Sequence, residues 1–172
     1  VIDLTKKPFT ILRAGSITKE QIEKTLKEKI NIANHTDTKP KSPGMKYKHY
    51  APKAELILVQ CKFPNPLSFK GGFSEQLIQS LIQNYKLQTT NHKLPKIGIL
   101  CCNENAKYYN NADLVIPIGS IKNLNEIASN IFKTLRQFDK AGIDIIISEN
   151  FPTKGIGIAI MDKLSRAATK II

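Results

Sequence analysis

Residues 54–60, AELILVQ, place Leu56, Ile57, Leu58 and Val59 in an unbroken aliphatic run. A strand with one wet face alternates apolar and polar residues. A continuous run is what a strand covered on both faces needs, and such strands belong to parallel sheets flanked by helices. Three more runs of the same kind follow: KIGILCC (96–102), ADLVIPIG (112–119) and IDIIISEN (143–150). Pro117 lacks an N–H for the ladder, so the third run should stop there or lie at a sheet edge.

The intervening segments carry helical spacing. Residues 74–88 bring Leu77, Ile78, Leu81, Ile82 and Tyr85 to one face, and residues 123–140 do so with Leu124, Ile127, Ala128, Ile131, Leu135 and Phe138. Gly142 ends the second helix, and a last helix is expected over 156–169. Buried strands alternating with helices predict βαβ units with right-handed crossovers. Residues 54–172 therefore read as an α/β domain of three layers, α/β/α, with a mostly parallel sheet, Rossmann-like in outline.

The chain ahead of that domain is different. VIDLT (1–5) and FTILR (9–13) suggest two short strands joined at a Lys-Lys-Pro turn. Thr18 with Gln21 makes a capping box, and Ile17 with Ile22 fits a hydrophobic staple, so a helix should run from there to about Ile30. Two strands and a helix cannot bury a core alone. Residues 1–30 are expected to be the tail of a preceding domain, which agrees with a first residue of Val rather than Met. Residues 31–44, polar with two Pro, open a linker that extends to residue 53.

No apolar run reaches the roughly 20 residues that span a bilayer, and no signal-peptide pattern opens the chain. The three Cys (61, 101 and 102) show no C-x-x-C spacing, so structural thiols in a reducing, cytoplasmic setting are expected. The formal charge is +12; residues 1–53 hold 12 Lys and Arg against 5 Asp and Glu, and the remainder hold 14 against 9. That excess suits a phosphate-bearing partner such as a nucleotide or RNA, and equally a solvated Lys-rich surface.

Motifs for chemistry are few. TKGIGIAIMD (153–162) offers Gly155 and Gly157 of a G-x-G-x-x-G pattern, but position 160 is Ile and the loop lies in the last βα unit. Backbone freedom in a turn explains those glycines more simply than a phosphate cradle. His35, His49 and His92 have no partners at metal-ligand spacing, so no metal site is expected, and no catalytic triad is legible. Asp113 fits a cap or a turn. Arg13, at a strand end before Gly15, has the planar fork for bidentate phosphate contact. The segment SPGMKYKHYAP (42–52) concentrates Lys46, Tyr47, Lys48, His49 and Tyr50 between Pro43 and Pro52, with Lys53 following. It supplies cations, stacking rings and a group that titrates near neutrality.

That segment resembles the linker signature of the long, two-domain threonylcarbamoyl-adenylate synthases, usually Pro-Gly-Met-Lys-Tyr-Arg-His-Tyr-Ala-Pro; Lys48 stands in the Arg position. VIDLTKKPFTILRAGSITKEQIE resembles the end of that family's YrdC-like catalytic domain, with Ala14 where Pro is usual, and GIGIAIMDKLSRAA resembles the end of its C-terminal domain. The resemblance implies a division into a remnant of a YrdC-like α+β domain (1–30), an interdomain linker (31–53) and a C-terminal Rossmann-like domain (54–172). It implies an enzyme that combines ATP, L-threonine and bicarbonate into threonylcarbamoyl-AMP for N6-threonylcarbamoyladenosine modification of tRNA, using ATP and Mg²⁺. Arg13, Tyr47, His49 and Tyr50 match ATP-contacting positions, and Lys46 and Lys48 lie in the same lid-forming linker. No catalytic residue of its own, and no bound cofactor, is implied for this portion, which would be inactive alone; tRNA or tRNA-modification proteins are implied as further partners, and no membrane. The alternative from composition is a non-catalytic nucleotide- or RNA-binding α/β module.

Overall fold

The computed structural model describes residues 1–33, 51–60, 73–87 and 94–172. In the α/β domain the strands are β4 (Glu55–Leu58), β5 (Ile97–Cys101), β6 (Leu114–Pro117), β7 (Ile145–Ser148) and β8 (Lys170–Ile171). They form one sheet in the order β6-β5-β7-β4-β8, and every neighbouring pair is parallel. Helices α2 (Phe73–Leu87), α3 (Leu124–Ala141) and α4 (Gly157–Ala167) cover it. Pro117 is the last residue of β6, at a sheet edge. The edge strand β8 has no counterpart in the expected strands, because two residues give no periodicity to read.

The continuous aliphatic runs split by residue parity, as a pleated strand requires. Ile57, Val59, Ile97, Ile99, Ile145 and Ile147 pack with Ile78 and Ile82 of α2. Leu56, Leu58, Leu100 and Ile146 pack instead with Ile127, Ile131, Leu135 and Phe138 of α3 and with Ile160 and Leu164 of α4. Both faces are dry, which is why no strand alternates with polar residues. Gly98 lets α3 close on the sheet: a Cβ there would lie 2.6 Å from Phe138 Cε1. The Asp113 carboxylate accepts from Ile97 N–H at 2.8 Å, tying the start of β6 to that of β5.

Residues 1–33 form a separate small sheet. β1 (Ile2–Asp3) runs antiparallel to β2 (Thr10–Ile11), and β2 pairs in parallel with β3 (Asn31–Ile32). Between them α1 spans Lys19–Leu26. The capping box is present: Gln21 N–H donates to Thr18 Oγ1 at 3.3 Å, and Thr18 N–H donates to Gln21 Oε1 at 2.8 Å. Three expectations change. The helix stops at Leu26 because Lys27 adopts the left-handed conformation (φ 56°). The staple does not close, since Ile17 is 66% exposed. Residues 31–32 pair with β2 through Asn31 N–H to Phe9 C=O and Ala33 N–H to Ile11 C=O, both at 2.8 Å, so chain beyond the helix remains within the first unit. Thr18→Ala should weaken α1 by about 1 kcal/mol, measured as faster amide exchange confined to residues 19–26.

Candidate functional site

The chain leaves β5 towards β6 on the α2 side, where Ala106, Tyr109 and Ala112 pack. It leaves β7 towards β8 through α4, on the opposite side. β5 and β7 are neighbours, so the chain leaves their carboxyl ends on opposite faces of the sheet, the point at which doubly wound sheets place ligands. The residues that follow these strands are Cys102–Asn105 and Glu149–Phe151.

Glu149 is the centre of this point. It is 3% exposed and immediately follows β7. Its Oε2 accepts from Cys102 N–H at 3.0 Å; its Oε1 accepts from Asn105 Nδ2 at 2.8 Å and from the Tyr109 hydroxyl at 2.5 Å. Its own N–H donates to Leu100 C=O at 3.0 Å. Among the described residues no cation pairs with it. Burial pushes its carboxyl above the usual range, against the three donors that pull it down. Burial also raises the Tyr109 phenol, reinforced by the Glu149 charge. Asn105 is 3% exposed, and its Oδ1 has no partner.

Glu104 fastens the chain after β6. It accepts from the Ser120 hydroxyl at 2.5 Å and from Ile121 N–H at 3.1 Å. Burial pushes its carboxyl up, but these donors outweigh that and leave it below the usual range. Cys101 and Cys102 are buried, free and on opposite sides of the sheet. Burial, then the Glu149 charge, raises both thiols. They are poor nucleophiles, as structural cysteines should be.

The glycine loop does not form a phosphate cradle. Its amides are spent locally: Gly157 N–H on Lys154 C=O (2.9 Å), Ile158 N–H on Gly155 C=O (3.3 Å) and Ala159 N–H on Ile156 C=O (2.9 Å). Gly155 has φ 55°, so backbone freedom explains it. Its N–H faces the Glu20 carboxylate of α1, which lies below the usual range mainly through its own backbone amide and Thr18. Between the two units lies a cavity of about 170 Å³, whose lining includes Leu12 and Ala14 from one side and Thr153, Met161 and Asp162 from the other.

Of the sequence-predicted site residues, Arg13 is exposed just beyond β2, its N–H on Val1 C=O at 3.2 Å. It flanks the Leu12–Ala14 wall of that cavity. Lys46, Tyr47, Lys48, His49 and Tyr50 lie outside the described residues, as do His35 and His92. Glu149 was missed by sequence reasoning. Its signal was an acid directly closing an aliphatic strand run, at the carboxyl end where such folds place their sites.

The fold is a doubly wound α/β domain whose switch point carries a buried acid. Residues 17–169 match the family described as threonylcarbamoyl-AMP synthase, C-terminal domain, and the chain belongs to it. The threonylcarbamoyl-AMP synthase of Bacillus subtilis is 39% identical over 92% of this chain, and that of Pyrococcus abyssi 37% over 98%. The chain spans 41% and 44% of those relatives. Among solved structures, P. abyssi Sua5 complexed with L-threonine superposes with a TM-score of 0.76 at 35% identity, covering 99% of this chain and 46% of that one. A P. abyssi Sua5 variant with an adjacent His-Tyr pair replaced by alanines gives 0.77 at 34%, covering 99% and 45%. No helix among the described residues is long and apolar enough to cross a membrane.

Proposed function

We propose that this chain is the C-terminal part of an enzyme that makes threonylcarbamoyl-AMP from ATP, L-threonine and bicarbonate, a nucleotidyl transfer serving tRNA modification in the cytoplasm. The family match over residues 17–169 carries this reading. The relatives' names and the L-threonine complex of one of them support it. In this reading residues 1–33 complete the catalytic domain, the chain from there to residue 53 forms the lid-bearing linker, and residues 54–172 are an accessory domain. The chain alone is inactive, because the pocket that holds the substrates lies mainly in the preceding domain.

In such a transfer a carbamate oxygen attacks the α-phosphate and pyrophosphate leaves. The protein's task is positioning and neutralising charge. Arg13 has the fork to grip phosphate oxygens from the end of β2. Tyr47 and Tyr50 offer rings and hydroxyls, His49 a donor, and Lys46 and Lys48 positive charge. Mg²⁺ would shield the phosphates. Among the described residues no group of three or more His, Cys, Asp or Glu could hold it. The chain's one His-Tyr pair, His49-Tyr50, is of the kind removed in the solved P. abyssi variant.

The test is pyrophosphate release by the full-length protein with ATP, L-threonine and bicarbonate. His49→Ala and Tyr50→Phe should each lower it about tenfold or more, the scale of one lost charge-assisted hydrogen bond. Unchanged release in both variants removes the lid assignment. Binding of tRNA is the further expectation from the charge of +12, and it should weaken steeply with salt.

A further inference from the structure

We propose that the outer face of α3, extended by Lys163 of α4, is a docking surface for the phosphate backbone of an RNA. The proposal rests on the tRNA binding expected above from net charge, and it assigns that binding to one face of the α/β domain.

α3 buries Ile127, Ile131, Leu135 and Phe138 against the sheet. Its opposite stripe is Ser129, Lys133, Arg136, Gln137 and Lys140, all exposed. That stripe holds three cations and no acid. A surface helix commonly balances its cations with acids three or four residues away. Here the acids of α3 are turned to other work. Glu126 accepts from Ser120 N–H at 3.3 Å. The Asp139 side chain is 11% exposed; one oxygen accepts from Lys53 N–H and the other from Arg136 Nη1, both at 2.8 Å. One carboxylate thus gathers Arg136 and the backbone of Lys53, itself exposed, beside Lys140. Lys133 and Lys140 have no carboxylate partner among the described residues.

α4 continues the surface. The Lys163 ammonium lies 5.1 Å from the centroid of the Phe132 ring of α3, so it is held across the seam between the helices rather than on an acid. Asp162 is engaged by Arg166 Nε, 3.1 Å from each oxygen. Residues 34–50, 61–72 and 88–93 contain seven Lys and a single acid, Asp37, so they can bring one carboxylate to this face at most. On the other side of the sheet α2 carries Glu75 against Lys86, whose ammonium is spent on Asn111 C=O at 2.6 Å.

Shape and chemistry select the partner. Lys133 and Lys140 stand two turns apart, about 10 Å along the axis. A row of cations on a convex helix follows a charged strand and cannot enclose a small anion. Ser129 and Gln137 add neutral donors of the kind that meet phosphate oxygens. A helix that lies on a bilayer needs apolar side chains beside its cations, and none of the exposed large hydrophobics among the described residues lies on α3 or α4. The helix dipole favours a cation in the last turn, which accounts for Lys140. It accounts neither for Lys133, two turns further in, nor for Lys163.

The test is binding of an unmodified tRNA transcript by the full-length protein, followed by fluorescence anisotropy from about 50 to 200 mM salt. Lys133→Gln, Lys140→Gln and Lys163→Gln combined should weaken binding about tenfold or more at about 0.1 M salt, and lower the log–log salt slope by about 0.7–0.9 for each lysine removed. Lys96→Gln, Lys107→Gln and Lys122→Gln combined remove as many exposed charges away from this face and should do far less. Pyrophosphate release should stay unchanged in both. Equal losses in the two sets overturn the face and leave only net charge. Parent binding that the α3–α4 set does not alter overturns the face alone. A parent protein that binds no tRNA overturns the expectation from net charge and the face with it. Phosphatidylserine vesicles that bind the parent protein and lose it in the α3–α4 set, with tRNA binding unmoved, overturn RNA as the occupant. Should the combined variant not fold, Lys133→Gln alone decides, through a slope lowered by about 0.7–0.9 or left unmoved.

Discussion

Gly157→Ala should destabilise the α/β domain by about 3 kcal/mol, the upper end of the ordinary cost of overpacking. A Cβ at Gly157 would lie 1.8 Å from the Pro152 carbonyl oxygen and 2.9 Å from its carbon. The obstacle is backbone, so no rotamer change relieves it. The neighbouring loop is pinned as well, since Phe151 is 1% exposed and its N–H points at Met161 Sδ at 3.2 Å. Either the first turn of α4 unwinds or Pro152 moves and drags Phe151 out of the core. Gly155→Ala is the internal comparison. There φ is +55° and nothing lies within 4 Å of an added Cβ, so only the left-handed backbone term remains, about 1–2 kcal/mol. Urea unfolding at unchanged m-value measures both. A Gly157→Ala cost no greater than that of Gly155→Ala would show that the close approach is not what sets the glycine.

Phe138→Ala should cost about 3–5 kcal/mol. The ring is fully buried, packed between α3 and the sheet. Its seat depends on Gly98: a Cβ at residue 98 would meet Phe138 Cε1 at 2.6 Å and Cδ1 at 2.7 Å, and Ile143 Cγ2 at 3.1 Å. Gly98→Ala alone should therefore cost about 1–3 kcal/mol by overpacking. The two changes oppose each other in volume. The double variant should cost less than the two single losses added, by about 1 kcal/mol or more, as contacting residues do. Strict additivity in the cycle would mean that ring and glycine do not constrain one another.

Some features were legible because their causes are local. The aliphatic runs around Ile57, Ile99 and Ile147 announced strands covered on both sides, and Ile127, Ile131, Leu135 and Phe138 announced the buried stripe of α3. The capping box at Thr18 needs only four residues to be recognised. The site was less legible. Glu149 read as the polar end of a strand run, because its meaning comes from Cys102, Asn105 and Tyr109, more than 39 residues earlier and gathered only by the pairing of β5 with β7. The glycine loop was legible as chemistry in two ways, and only the crowding at Gly157 and the local hydrogen bonds of the loop amides separated them.

The sequence by itself determined which segments are strands and helices, that the sheet is parallel and dry on both faces, and, through the linker residues 45–52, the family resemblance. Only the tertiary structure decided the strand order β6-β5-β7-β4-β8, the pairing of residues 31–32 and 170–171, and the burial of Glu149 at the carboxyl ends of β5 and β7. Periodicity and capping are set by neighbours within a turn or two of chain, so they are written in the order of residues. Strand order and the environment of a buried acid are set by contacts distant in sequence, whose energies depend on which faces meet, and no short window of residues contains that information.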